Sequence, residues 1–205
     1  MLVFTRFISY WLHPLFMPLY CLVLCFQFDP YLNTFLPHQA KLTLYGIIVV
    51  NTIIIPLATL VFLKKKKLIS SYQLETRQER ALPYGMVLIY YSLTYLVLRK
   101  TGLPQVVFSL MLTGIAGIAL VWVVNFYWKI SAHATGIGGL VGAFLGLSIL
   151  HQSQEYEIMF VLFLLAGLVG SARLFLKAHS PAQVYAGFLL SFFISYLIVS
   201  NAWIL

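Results

Sequence analysis

The stretch Ser171-Ala172-Arg173-Leu174-Phe175-Leu176-Lys177-Ala178-His179-Ser180-Pro181-Ala182-Gln183 is a short polar turn set between two long hydrophobic runs. A helix needs about 20 apolar residues to cross a bilayer core of roughly 30 Å, and each flanking run supplies that length. The turn therefore joins two membrane-spanning helices, and it gathers cations and a histidine where one helix leaves the membrane and the next enters. A second stretch of similar build, Lys129-Ile130-Ser131-Ala132-His133-Ala134-Thr135-Gly136, opens another hydrophobic run with a cation, a serine and a histidine.

The rest of the chain follows the same pattern. Hydrophobic residues make up 61% of the 205 and charged residues only 9%, whereas about a quarter of a soluble domain is charged. By the length criterion there are seven candidate spans: 7–28, 42–63, 81–98, 104–128, 131–150, 156–176 and 181–203. This predicts an all-α, polytopic transmembrane bundle forming a single domain over 1–205. The third span is short, and only Arg99-Lys100-Thr101-Gly102 separates it from the fourth. The pair either crosses twice or forms a re-entrant hairpin, which leaves six or seven spans. Trp11, Tyr84, Trp128 and Trp203 fall near span ends, where aromatic residues anchor helices in the interface.

Several local features shape individual spans. The first run reaches no small-residue cleavage motif before Asp29, so it is expected to remain as a span and not to act as a signal peptide. His13-Pro14 and Pro18 predict a kink near its beginning, because each proline removes a backbone donor. Cys21 and Cys25, at i and i+4, suit buried thiols better than a disulfide or a metal site. Asn51 and Pro56 are expected to pack and bend the second span. Gly138, Gly142 and Gly146 form a row that lets another helix approach closely, either within the chain or in a homodimer. The loop from His151 to Glu157 is polar without a recognisable constellation.

With seven spans, the loops alternate between two faces and the basic residues divide unequally. Arg6, Lys64 to Lys67, Arg77, Arg80, Lys129, Arg173 and Lys177 fall on one face; Lys41, Arg99 and Lys100 fall on the other. The positive-inside rule predicts that the richer face is cytoplasmic, with Lys64 to Lys67 as its topology signal. The net charge of +8 is explained by this distribution, and no RNA- or DNA-binding motif accompanies it, so nucleic acid is not an expected partner.

All the polar stretches share the richer face. If 75–84 begins a helix, Arg77 and Arg80 share a side at i, i+3 and are free to grip an anion. Ser180-Pro181-Ala182-Gln183 reads as a helix start, with serine at the N-cap, proline at the first helical position and glutamine completing a capping box. Ser131 caps the fifth span in the same way. His133 and His179 then both lie at helix amino termini, where free N–H groups and the helix dipole favour anions, and Arg173 adds a bidentate fork. Phosphate is the natural ligand of such a set.

These stretches resemble the type 2 phosphatidic acid phosphatase superfamily, the lipid phosphate phosphatase and histidine acid phosphatase group. Its third motif, Ser-Arg-x5-His-x3-Asp, is matched by Ala172-Arg173, five residues, His179, three residues and Gln183. Its second, Pro-Ser-Gly-His, is matched by Ile130-Ser131-Ala132-His133, and its first, Lys-x6-Arg-Pro, is loosely echoed by Arg77, Arg80 and Pro83, with Glu75 at the lysine position if Leu82-Pro83 takes the Arg-Pro place. The resemblance covers residues 75–187. It implies a metal-independent hydrolase with His179 as nucleophile, His133 as general acid and Gln183 in the place of the orienting aspartate. Arg173, Ser131, Lys129 and Arg77 or Arg80 would hold the phosphoryl oxygens. It also implies a phosphorylated lipid or isoprenoid substrate, surrounding membrane lipids as partners and a bacterial plasma-membrane setting. Gln183 accepts a hydrogen bond as an aspartate would but carries no charge, which leaves open a relative that binds a phosphate-bearing lipid without turnover.

Overall fold

The computed structural model describes residues 2–202, apart from the side chain of Tyr31, and contains no strand among them. Trp203, the expected anchor of the last span, lies outside the described residues. The helices are α1 (Leu2–Trp11), α2 (Met17–Phe28), α3 (Pro30–Phe35), α4 (His38–Val49), α5 (Ile55–Lys65), α6 (Arg77–Leu98), α7 (Gln105–Asn125), α8 (Ala132–Leu150), α9 (Tyr156–Phe175) and α10 (Pro181–Ser200). Seven stretches are long and apolar enough to cross a membrane: Leu2–Phe28, His38–Lys65 and the five helices α6 to α10. The chain is an all-α polytopic membrane bundle.

Local sequence explains where the helices start and break. Ser131 accepts the Ala134 N–H at 3.4 Å, and Ser180 and Gln183 form the full capping box at the head of α10. Thr76 caps α6 by accepting from Glu79 N–H at 3.4 Å, so α6 begins before the apolar run and reaches 22 residues. At about 1.5 Å per residue that is roughly 33 Å, enough to cross. α6 and α7 therefore form an antiparallel pair of full spans, which excludes the re-entrant hairpin. The first run breaks at His13, with a 3-10 turn over Pro14–Phe16, and the second carries a π segment, Val50–Ile54, just before Pro56. Asn51 Nδ2 donates to the Ile47 carbonyl at 2.9 Å inside that bend.

α8 is the hub, and α10 is its most extensive neighbour. The two run parallel, with Ser131 N–H donating to the Gln183 carbonyl at 3.3 Å at one end and Gly138, Gly142 and Gly146 meeting Phe188, Phe192 and Tyr196 along the length. A Cβ at Gly142 would overlap the Phe192 carbonyl group, so only glycine permits this approach. α10 thus occupies the glycine face that was also open to a second copy. Cys21 and Cys25 are buried free thiols in the core beside α8.

The ends of the helices define two faces. The loops after α5, α7 and α9 share one, which we call the site face. On the opposite face, Asp29 is buried, accepts Leu32 N–H at 2.7 Å through Oδ1 and pairs through Oδ2 with His151 Nδ1. The loop from His151 to Glu157, featureless in sequence, is thus anchored to the end of α2.

Candidate functional site

Five segments bring polar groups to one cavity of about 190 Å³ at the site face. α6 supplies Arg80 and Tyr84, α8 supplies His133, α9 supplies Arg173, the turn after it supplies His179, and the break in the first run supplies His13. Below them the cavity continues between apolar and small residues, down to Tyr91 on α6 and Leu110 on α7. Tyr84 lines this space and is not the lipid-facing anchor its position suggested.

His179 is 8% exposed, and its Nδ1 lies 3.2 Å from both the Lys129 carbonyl and Gln183 Oε1. A carbonyl oxygen only accepts, so the ring carries its proton on Nδ1 and keeps a lone pair on Nε2. Gln183 Oε1 also accepts Ser180 N–H at 3.0 Å, which ties the orientation of the ring to the cap of α10. Burial, then the charges of Arg80 and Arg173, push the His179 pKa down to about 4. The imidazole is therefore neutral at physiological pH, with a nucleophilic nitrogen beside two guanidinium groups.

Arg80 and Arg173 carry the electrostatics. Arg80 is 6% exposed and donates from Nε to the Leu74 carbonyl at 2.7 Å. Leu74 adopts a left-handed conformation, φ 51°, to present that oxygen. Arg173 donates from Nη1 to Ser9 Oγ at 3.3 Å, and its buried Nε has no hydrogen-bond partner. Among the described residues, neither arginine has a carboxylate within 4.0 Å. Lys129 adds a third cation, its pKa lowered by burial and by Arg80 and Arg173 against a smaller opposing effect of Glu75. Buried charge without a counter-ion is costly, and an anion in the cavity would relieve Arg80 and Arg173, which line it.

The other expected site residues are placed differently. Arg77 does not line the cavity; its Nη1 donates to the Phe126 and Tyr127 carbonyls at 3.3 and 2.6 Å, closing the end of α7. Arg77 and Arg80 therefore separate, because tertiary packing turns one toward α7 and the other inward. Ser131 is fully buried, with its hydroxyl engaged in the α8 cap. Lys129 contributes its backbone carbonyl to His179, and Gln183 acts through the His179 ring. His133 lines the cavity, but its Nε2–H donates to the Ser9 carbonyl at 3.1 Å, so a transferable proton would have to sit on Nδ1.

His13 joins the site, although its position beside Pro14 favoured a helix kink over a direct role. Its ring packs edge-on against His133 with centroids 5.2 Å apart, and its Nδ1 accepts Leu15 N–H at 3.3 Å. Neutral His13 thus holds its proton on Nε2, as a donor. An ionisable group inside an apolar span was the available signal. Comparison of the chain with protein-family models, curated proteins and solved structures finds no match to any of them.

Proposed function

We propose that this membrane protein is a metal-independent phosphatase or phosphotransferase acting on a phosphorylated lipid or isoprenoid, as a divergent relative of the type 2 phosphatidic acid phosphatases. The observation that carries the reading is the neutral His179 ring, Nε2 lone pair free, beside the buried Arg80 and the half-buried Arg173, neither of which has a carboxylate partner. Nε2 attacks phosphorus as the P–O ester bond breaks, the ester oxygen leaves with a proton from the imidazolium form of His133 or His13, and water then cleaves the phosphohistidine to phosphate and returns that proton. Arg80 and Arg173 bind the equatorial oxygens, where charge builds in the transition state.

The apolar shaft supports a lipid substrate. Arg80 and Tyr91 are both cavity residues on α6, 11 residues apart. That is about 16 Å of helix, close to one leaflet of a core roughly 30 Å thick. A phosphate held at Arg80 would leave its chain lying along this depth. The charge bias supports a cytoplasmic site face, and a bacterial plasma membrane is the setting proposed with it.

A second reading, binding of a lipid phosphate without turnover, is favoured by Gln183 and by the engagement of the His133 Nε2 proton with Ser9. Purified protein with long-chain alkyl and prenyl phosphates separates the two. The enzyme predicts phosphate release that is lost in His179→Ala. Binding without release from any substrate, unaffected by His179→Ala, would replace it with the second reading.

A further inference from the structure

The stretch Leu2–Phe28 is long enough to cross a membrane as one helix, yet it breaks into α1, a 3-10 turn and α2. α2 runs beside α8 in the same direction. At its start, a Cβ on Gly136 would lie 3.0 Å from Met17 Cγ and 3.3 Å from Pro14 Cα; just past its end, Asp29 pairs with His151. The turn and α2 together cover about 24 Å, at roughly 2.0 Å per 3-10 residue and 1.5 Å per α residue. Most of the core is crossed before α1 is counted.

α1 is therefore placed at the site face. The Ser9 carbonyl accepts from His133 in the first turn of α8, and the Ser9 hydroxyl accepts from Arg173 in the last turn of α9. Ser9 sits level with two helix ends, and α1 packs on α9. Thr5, Ile8, Ser9 and Leu12, spaced i, i+3, i+4 and i+7, are the buried or half-buried side of the helix. Leu2, Val3, Phe4, Phe7, Tyr10 and Trp11 are exposed. Such a set, with Arg6 among it, is poorly suited to water and well suited to the boundary between headgroups and acyl chains.

We propose that α1 is an in-plane helix, docked on the bilayer interface by its exposed aromatic and aliphatic side chains and fastened to the site through Ser9. The polar end of the cavity is thereby held at the membrane–water boundary. This inference is independent of turnover.

The test uses the full chain in bilayers of phosphatidylcholine and phosphatidylglycerol, with Val3→Cys, Phe4→Cys, Phe7→Cys and Tyr10→Cys each carrying a nitroxide. Cys21 and Cys25 are buried, and the parent protein gives the background labelling. Depth is read from collisions with oxygen and with a water-soluble nickel complex. The expected result is a helical oscillation about one interfacial depth. A steady change of roughly 1.5 Å per residue, about 10 Å from Val3 to Tyr10, would overturn the proposal. So would full aqueous exposure at all four positions. Ser9→Ala, alone and with His133→Ala, is expected to raise label mobility at Phe7→Cys and Tyr10→Cys. Unchanged mobility in both backgrounds would overturn the fastening.

Discussion

Gln183→Glu is the sharpest perturbation of the proposed chemistry, because it keeps the length of the side chain and adds only charge. Gln183 Oε1 lies 3.2 Å from His179 Nδ1. At that distance a unit charge stabilises an imidazolium by about 5 kcal/mol with an effective dielectric constant of roughly 20. Desolvation of the half-buried carboxylate offsets part of this, so the net gain is about 3–5 kcal/mol, or ~10²–10⁴ in rate. The scale agrees with serine proteases, where exchanging the orienting carboxylate for an amide costs about 10⁴ in turnover. The gain belongs in kcat, since charge on the ring develops only as Nε2 attacks. Phosphate release from a long-chain alkyl phosphate, followed across pH, is the assay. The acid limb of the native protein, set by His179 near pH 4, moves up toward the ordinary histidine range in the variant, because a neighbouring anion favours the protonated ring. A folded Gln183→Glu protein with unchanged or lower kcat and an unmoved acid limb would refute the assignment of His179 as a nucleophile oriented from position 183.

Arg173→Gln removes a charge-assisted partner of the anion and is expected to weaken inorganic phosphate binding by ~10–150-fold, about 1.5–3 kcal/mol, measured by titration calorimetry. His179 has a folded pKa below its unfolded value, so its contribution to stability is complete above about pH 6.5 and is lost as pH falls toward 4. That loss is about 3 kcal/mol, and His179→Asn should flatten the corresponding slope in a denaturation series against pH. Gly142→Ala would drive a Cβ into the Phe192 carbonyl group and should lower the melting temperature sharply, whereas Gly167→Ala, with nothing within 4 Å of the new Cβ, should not. His151→Ala leaves Asp29 buried without its imidazole and is expected to cost about 3–5 kcal/mol in the same melting experiment, while Asp29→Asn with His151→Ala recovers part of it.

Most of the fold was legible in the sequence because it is written locally. Apolar runs of bilayer length make spans, Ser131 and Ser180-Pro181-Ala182-Gln183 start helices through neighbours three residues away, and parity then places their loops on one face. Thr76 and the charged turn behind it were harder to read, since Arg77 to Arg80 look like loop residues until the cap shows that α6 has already begun. The site was legible as a list of residue types on one face, and Arg80, His133, Arg173 and His179 do line one cavity.

What no local pattern carries is the rotation of each helix and the partner that each polar atom meets. Only packing sends Arg80 inward and Arg77 to the end of α7, and only packing brings His13 against His133. The His179 tautomer is set with help from a carbonyl 50 residues away, and Ser9 reaches His133 across 124 residues and Arg173 across 164. The sequence by itself determined which segments are helices, where the serine-capped α8 and α10 begin and which face gathers the cations, because those depend on neighbours within a turn. Tertiary structure alone decided which of those cations are buried without a counter-ion and which nitrogen of His179 is free, because both follow from contacts between helices that are distant in the chain.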